Sequence, residues 1–118
     1  MISTGANLTD ADGFHDDGWC WPQTLLRLQA LQDASELRLG VWLKPETDKA
    51  QRALFTVSMD SGPAQAVFVE LNTQTDILMP IDVKSGQEFT VRISTPHRAS
   101  RGEDARDLSF ILSTITLL

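Results

Sequence analysis

Short runs in which apolar and polar residues alternate, separated by turn residues, constrain this chain more than any other feature. In residues 37–43 (LRLGVWL), Leu37, Leu39, Val41 and Leu43 fall on one face of an extended strand. Seven comparable runs are present, at residues 24–29, 36–44, 53–60, 64–71, 76–82, 88–94 and 107–118. A period of two is the repeat of a β-strand, so the pattern predicts seven strands.

Turn residues separate these runs at intervals of roughly ten residues. Residues 60–63 (DSGP) and 84–87 (KSGQ) are typical of hairpin turns. We therefore predict an all-β chain folded as a two-sheet antiparallel β-sandwich, a single domain over residues 13–118 preceded by a flexible lead-in at residues 1–12. The predicted core is Leu37, Leu39, Val41, Phe55, Val57, Phe89, Val91, Phe110, Leu112 and Ile115.

Residues 25–36 admit a second interpretation. Leu25, Leu28 and Leu31 have helical spacing and the segment contains good helix formers, but Leu26 and Leu28 also alternate as in a strand. Because the neighbouring runs are all β-like, a strand followed by a turn is the favoured interpretation.

The last run changes parity partway along. Phe110 and Leu112 keep one face, whereas Ile115 and Leu117 keep the other. One extra residue would bring all four to the same face, which predicts a β-bulge at residues 113–114.

Composition excludes several classes of partner and environment. The 118 residues carry a net charge of -6, and the ten Lys and Arg residues are scattered, so neither nucleic acid nor an anionic membrane is an expected partner. No apolar run is long enough to span a bilayer. The single cysteine, Cys20, cannot form an internal disulfide, and residues 1–12 lack the pattern of a secretory signal. A cytoplasmic location is the simplest expectation.

Motifs for catalysis or cofactor binding are absent. The sequence has no glycine-rich phosphate loop, no C-x-x-C pair, no H-E-x-x-H and no G-x-S-x-G. Cys20 is expected to be a packed small apolar residue rather than a nucleophile. Acidic residues crowd residues 10–17 and 103–107, where a Ca²⁺ site is the alternative to a solvated loop; we favour the solvated loop and predict no metal and no cofactor.

Tryptophan and polar residues supply the candidate binding sites. Trp19, Trp21 and Trp42 are three of the eight aromatic residues. An indole face can stack on a sugar ring while neighbouring polar groups bond the hydroxyls, although tryptophan more often closes a core. The first candidate site is Trp19 and Trp21 with His15 and Asp17.

A long polar segment, residues 95–106, separates the last two predicted strands. Segments of this kind are binding loops or tolerated insertions. The second candidate site lies in this segment and consists of His97, Arg98 and Arg101.

Three elements together resemble a known family. Gly13 and Phe14 are followed by Trp19 and Trp21, residues 37–45 (LRLGVWLKP) end in a proline, and residues 104–117 read DARDLSFILSTITL. This order resembles the small β-sandwich domains appended to bacterial glycosyltransferases and methyltransferases that build surface polysaccharides. The resemblance implies a jelly-roll accessory domain without catalytic residues of its own.

The expected function is therefore a non-catalytic, glycan-binding accessory module of an enzyme of surface-polysaccharide biosynthesis. Its expected partner is a glycan or the glycosyltransferase domain itself. The alternative is a protein–protein scaffold or oligomerisation domain without a small ligand, for which a flat exposed apolar patch would be the signature. The sequence defines neither the sugar nor the oligomeric state.

Overall fold

All seven alternating runs form β-strands in the computed structural model of the protein, and two further strands precede them. The structure describes residues 1–44, 52–60, 62–98 and 108–118. The strands are β1 (Ile2–Thr4), β2 (Ala6–Phe14), β3 (Trp19–Ala30), β4 (Ala34–Trp42), β5 (Arg52–Met59), β6 (Gln65–Glu70), β7 (Thr75–Val83), β8 (Glu88–Ser94) and β9 (Phe110–Leu117). These described ranges contain no helix, and thus none with the length and hydropathy to cross a membrane. The strand interpretation of residues 25–30 is confirmed, and the helical alternative is excluded.

The strands are hydrogen-bonded in the order β6-β5-β8-β3-β9-β4-β7, with β2 added to β3 and β1 added to β9. The pairs are antiparallel except for β1 with β9. At the two ends of this path, the Gln65 side-chain amide donates to the Leu78 carbonyl at 2.9 Å, which links β6 to β7. The all-β prediction is confirmed, but one continuous and nearly closed path joins the strands, so two separate sheets of a jelly roll are not confirmed.

The inward side chains of the strands form one hydrophobic core. All ten residues predicted for the core are buried. The rings of Phe55 and Phe110 meet edge to face at its centre, with centroids 5.0 Å apart and planes inclined at 74°. This packing follows from the period-two pattern, which places alternate apolar residues on the same side of the sheet.

The predicted bulge in β9 is confirmed. Gly40 pairs with Thr114 and Val41 pairs with Leu112, so Ser113 is the additional residue. The Ser113 hydroxyl donates to the Gly40 carbonyl at 3.1 Å and accepts from the Gln74 amide at 2.8 Å. The bulge thus restores the parity of β9 and is held by side-chain hydrogen bonds.

The prediction of a flexible lead-in at residues 1–12 is wrong, because these residues form β1 and most of β2. Ile2 pairs with Thr114 of β9, and Ala6 pairs with Ala30 of β3. Most side chains of this segment face solvent, so it shows no apolar alternation. Backbone pairing with β9 and β3 makes it a strand, and side-chain patterning does not report that interaction.

Candidate functional site

A solvent-open groove of about 570 Å³ lies on the outer face of β3, β8 and β5. Its lining includes Trp21, Gln23, Leu54, Thr56, Ser94, Pro96 and Arg98. A smaller concavity of about 300 Å³ adjoins it and shares Trp21, Gln23 and Ser94. Trp21 therefore borders both depressions on this face.

The register of the strands places a polar row along the groove. Gln23 of β3 pairs with Ser94 of β8, and Ser94 pairs with Thr56 of β5. Directly paired residues project from the same face of a sheet. An amide and two hydroxyl groups are therefore side by side across three strands.

An apolar row runs beside the polar one. Because β3 and β5 are both antiparallel to β8, they run in the same direction. Trp21 is two residues before Gln23, and Leu54 is two residues before Thr56. Pro96 is two residues after Ser94, just beyond the end of β8. Residues two apart share a face, so Trp21, Pro96 and Leu54 lie level with one another. The groove thus has one apolar side and one hydrogen-bonding side.

A wide irregularity in β3 shapes the end of the groove that carries Trp21. Between the pairs Asp12–Leu25 and Phe14–Cys20, one residue of β2, Gly13, faces four residues of β3. The buried Thr24 hydroxyl lies 3.0 Å from the Trp21 carbonyl and 3.3 Å from the Gly13 carbonyl, within hydrogen-bond distance of both. Bulges of this kind redirect side chains and are frequent beside binding sites.

Pro22 occupies this irregular segment at little cost. A proline has no N–H to give to a sheet, and Pro22 lies just beyond the last regular pair of β3 with β8, Gln23–Ser94, where the ladder ends. Its carbonyl accepts from the Thr95 N–H at 2.9 Å. The same bond holds the chain that leaves β8 toward Pro96, and so joins two borders of the groove.

Trp21 is 45% exposed, yet its polar atom is satisfied. Its indole N–H donates to Nε2 of His15 at 2.9 Å, and the ring centroids are 6.1 Å apart with an interplanar angle of 60°. The acceptor in this bond is the Nε2 lone pair of the imidazole. The hydrogen bond fixes the indole while leaving much of its surface in solvent.

His15 is positioned by the turn between β2 and β3. Its N–H donates to the Trp19 carbonyl at 2.8 Å, and its carbonyl accepts from Gly18 at 2.9 Å. Gly18 has a φ of 94°, a conformation that favours glycine. Asp17, which is exposed, accepts from the Trp19 N–H at 3.2 Å. The Asp-Asp-Gly sequence therefore forms a tight hairpin that places His15 against Trp21.

The structure divides the first candidate site. Trp21 lines the groove and is hydrogen-bonded to His15, whereas the Asp17 carboxylate bonds within the turn. Trp19 is half-buried and pairs with Ile111 of β9, which also pairs with Trp42 of β4. Trp19 and Trp42 therefore flank Ile111 on one face of the sheet.

The second candidate site is only partly described. Arg98 borders the groove with Trp21. The His97 carbonyl accepts from the Ser109 hydroxyl at 2.6 Å, a contact that joins the segment after β8 to the start of β9. Arg101 lies outside the described residues.

Seven residues that line the groove were not predicted as site residues: Pro22, Gln23, Leu54, Thr56, Ser94, Thr95 and Pro96. For Leu54, Thr56 and Ser94, the available signal was that each occupies an outward-facing position of a predicted strand. That signal does not distinguish a groove from any other solvent-facing part of a sheet, because the choice depends on which strands become neighbours.

Titratable groups do not converge on the groove. Among the described residues that line it, Arg98 is the ionisable one. Cys20 is buried, and burial raises the pKa of its thiol from 9.0 to about 12, as expected for a packed apolar residue. Within the described ranges no three His, Cys, Asp or Glu side chains are grouped as metal ligands, while the acidic cluster at residues 103–107 lies outside them.

Neither protein-family models nor curated protein sequences match this chain. Among solved structures, a family 35 carbohydrate-binding module from Clostridium thermocellum is similar, with 14% identity and a TM-score of 0.49 over 91% of this chain and 90% of the other. An exo-β-1,3-galactanase from Phanerochaete chrysosporium, solved with galactose, is similar at 16% identity and a TM-score of 0.47 over 92% of this chain. The chain spans 26% of the galactanase chain. Likenesses at this level do not assign a function.

Proposed function

We propose that this chain is a non-catalytic carbohydrate-binding module that holds a neutral or basic glycan in the groove at Trp21. The observation that carries the proposal is the half-exposed, hydrogen-bond-anchored indole beside the polar row of Gln23, Ser94 and Thr56. A pyranose ring has the same division into a C–H face and a rim of hydroxyl groups. The apolar row suits the face, and the polar row suits the rim.

Binding to such an open groove is expected to be weak. A dissociation constant on the order of 0.1–1 mM corresponds to about 4–5.5 kcal/mol. Salt should change the affinity little, because stacking and neutral hydrogen bonds are not charge–charge attractions. The presence of a single ionisable side chain, Arg98, in the described lining supports a role in binding rather than in catalysis.

We further propose a specific setting for this module. The module belongs to a cytoplasmic enzyme of bacterial surface-polysaccharide synthesis, has jelly-roll architecture, and holds the growing glycan or orients the enzyme. The sequence elements at residues 13–21, 37–45 and 104–117 support it.

The test is an NMR or tryptophan-fluorescence titration with neutral polysaccharide fragments, carried out on the parent, Trp21→Ala and Trp19→Ala. We expect Trp21→Ala to lower the affinity at least tenfold and Trp19→Ala to leave it within about twofold, because Trp19 lies beside Ile111 and outside the groove lining. Circular dichroism and a thermal melt establish that each variant is folded. Unchanged binding by Trp21→Ala, or a loss confined to Trp19→Ala, would refute the indole platform.

A scaffold is the second candidate function. Leu54 and Phe68 are exposed cross-strand neighbours on the face that carries the groove, and exposed apolar side chains are also the mark of a protein contact. Sedimentation of the parent over a wide concentration range tests this alternative. Self-association that Phe68→Ala abolishes, together with no glycan binding by the parent, would favour the scaffold.

A further inference from the structure

We propose that the groove is one end of a longer binding strip that extends across four strands to Phe68 and takes an internal stretch of at least three sugar units. This inference rests on the proposed function. The strip consists of the apolar row Trp21, Pro96, Leu54 and Phe68 with the polar row Gln23, Ser94 and Thr56 beside it.

The strand register establishes the continuation. Leu54, which lines the groove, pairs directly with Phe68 of the end strand β6. Phe68 is therefore level with Leu54, which is itself level with Trp21. The two most exposed aromatic side chains of the described residues, Phe68 at 54% and Trp21 at 45%, lie at opposite ends of one row.

The length of the strip sets the size of its ligand. Trp21 on β3 and Phe68 on β6 are separated by three interstrand spacings, or about 14 Å. A sugar unit in an extended glycan advances by roughly one such spacing, so the row accommodates about four units, one at each of its four positions. A single terminal sugar would contact one end and leave the other unused.

The Phe68 end is also ordered by its neighbours. The guanidinium carbon of Arg52 lies 4.2 Å from the centre of the Phe68 ring. A cation over a ring face fixes the ring and places five N–H donors at this end of the strip. At the other end, Trp21 is restrained by a different contact, the hydrogen bond from its indole N–H to His15. Restrained aromatic side chains lose less conformational entropy when a ligand binds.

The direction of the ligand follows from the two rows. Both rows run across the strands, so the glycan axis is expected to cross β3, β8, β5 and β6. Units over β3, β8 and β5 each meet one apolar and one polar position, whereas the unit at Phe68 has Ala66 beside it. This arrangement favours a linear neutral chain, since the polar row offers amide and hydroxyl groups to three successive units.

The experiment measures affinity against chain length. The parent protein is titrated by NMR with cello-, manno- and galacto-oligosaccharides of one to six units, and the series that binds is repeated with Trp21→Ala and Phe68→Ala. Leu31→Ala is the matched control, because Leu31 is 54% exposed, as Phe68 is, but lies in the turn after β3.

We expect the affinity of the parent to rise at least fivefold between one and three or four units and then to level off. Phe68→Ala should remove that rise while preserving the affinity for one unit. Trp21→Ala should weaken binding at every length, and Leu31→Ala should reproduce the parent.

Two results overturn the longer strip while leaving the proposed function intact. One is an affinity that is already complete with a single sugar, and the other is an unchanged length dependence in folded Phe68→Ala. Absence of binding by the parent for all three series overturns the carbohydrate assignment itself.

Discussion

Replacement of Phe110 by alanine should remove the centre of the core. Phe110 is fully buried and its ring meets Phe55 edge to face at 5.0 Å. Truncation of a buried phenylalanine costs about 3–5 kcal/mol, since apolar burial is lost and a cavity remains. The ring pair accounts for about 0.5–1.5 kcal/mol of coupling, which a double-mutant cycle with Phe55→Leu measures.

Urea unfolding monitored by circular dichroism gives the free energy of unfolding. A loss of 3–5 kcal/mol is a large part of the 5–15 kcal/mol typical of a domain, so Phe110→Leu serves as a milder variant, with an expected loss of about 1 kcal/mol. Phe68→Ala is the matched exposed control and should lose less than about 1 kcal/mol. The assigned inward face of β9 would be contradicted by a loss below about 1 kcal/mol for Phe110→Ala, or by a loss for Phe68→Ala that exceeds the loss for Phe110→Ala.

Two further predictions concern close packing and ionisation. Gly40→Ala should lower the free energy of unfolding by about 1–3 kcal/mol, because an added Cβ would collide with the Thr114 hydroxyl and approach the Ser113 hydroxyl at 3.1 Å. A thermal melt measures the effect. An unchanged melting temperature would contradict this prediction and show that the Thr114 side chain turns away without penalty. Burial raises the pKa of Cys20 to about 12, so its thiol should resist an aromatic disulfide reagent at pH 8 until urea unfolds the chain. The folded-state pKa of Cys20 lies above the unfolded value, so this group should not change the free energy of unfolding below pH 9. Between pH 9 and 12 the free energy of unfolding should decline by up to about 1.4 kcal/mol per pH unit. Cys20→Ala should reduce that decline.

The strands and the core were predictable because burial leaves a period-two signal. Leu37, Leu39 and Val41 alternate with residues that face outward, and the structure buries all three. Even the bulge at Ser113 was predictable, since the change of parity in β9 required an extra residue if both halves were to face the core.

The N-terminal strands left no comparable signal. Residues 1–12 contribute Ala6 to the core, but most of their side chains are exposed. Their extended conformation depends on backbone partners in β3, the other strand of the same hairpin, and in β9, which is far away in sequence. Prediction from local pattern alone therefore mistook two paired strands for a flexible segment.

The candidate site was predictable by residue type but not by position. Trp21 and His15 were identified because they are a tryptophan and a histidine in a polar segment. Gln23, Ser94 and Thr56 were missed, because they become one row only when β3, β8 and β5 are neighbours in a particular register.

The irregularity in β3 is what ties the fold to the groove. In a regular β2–β3 ladder, residues 21–24 would each face a partner. Here one residue of β2 faces all four, and the Thr24 hydroxyl lies within hydrogen-bond distance of carbonyls on both strands. On the other side of β3, the Pro22 carbonyl accepts from the Thr95 N–H and continues the β3–β8 register to the start of the segment that carries Pro96 and Arg98. The irregular pairing with β2 and the continued pairing toward Pro96 thus meet at Trp21 and Pro22, and the groove lies there.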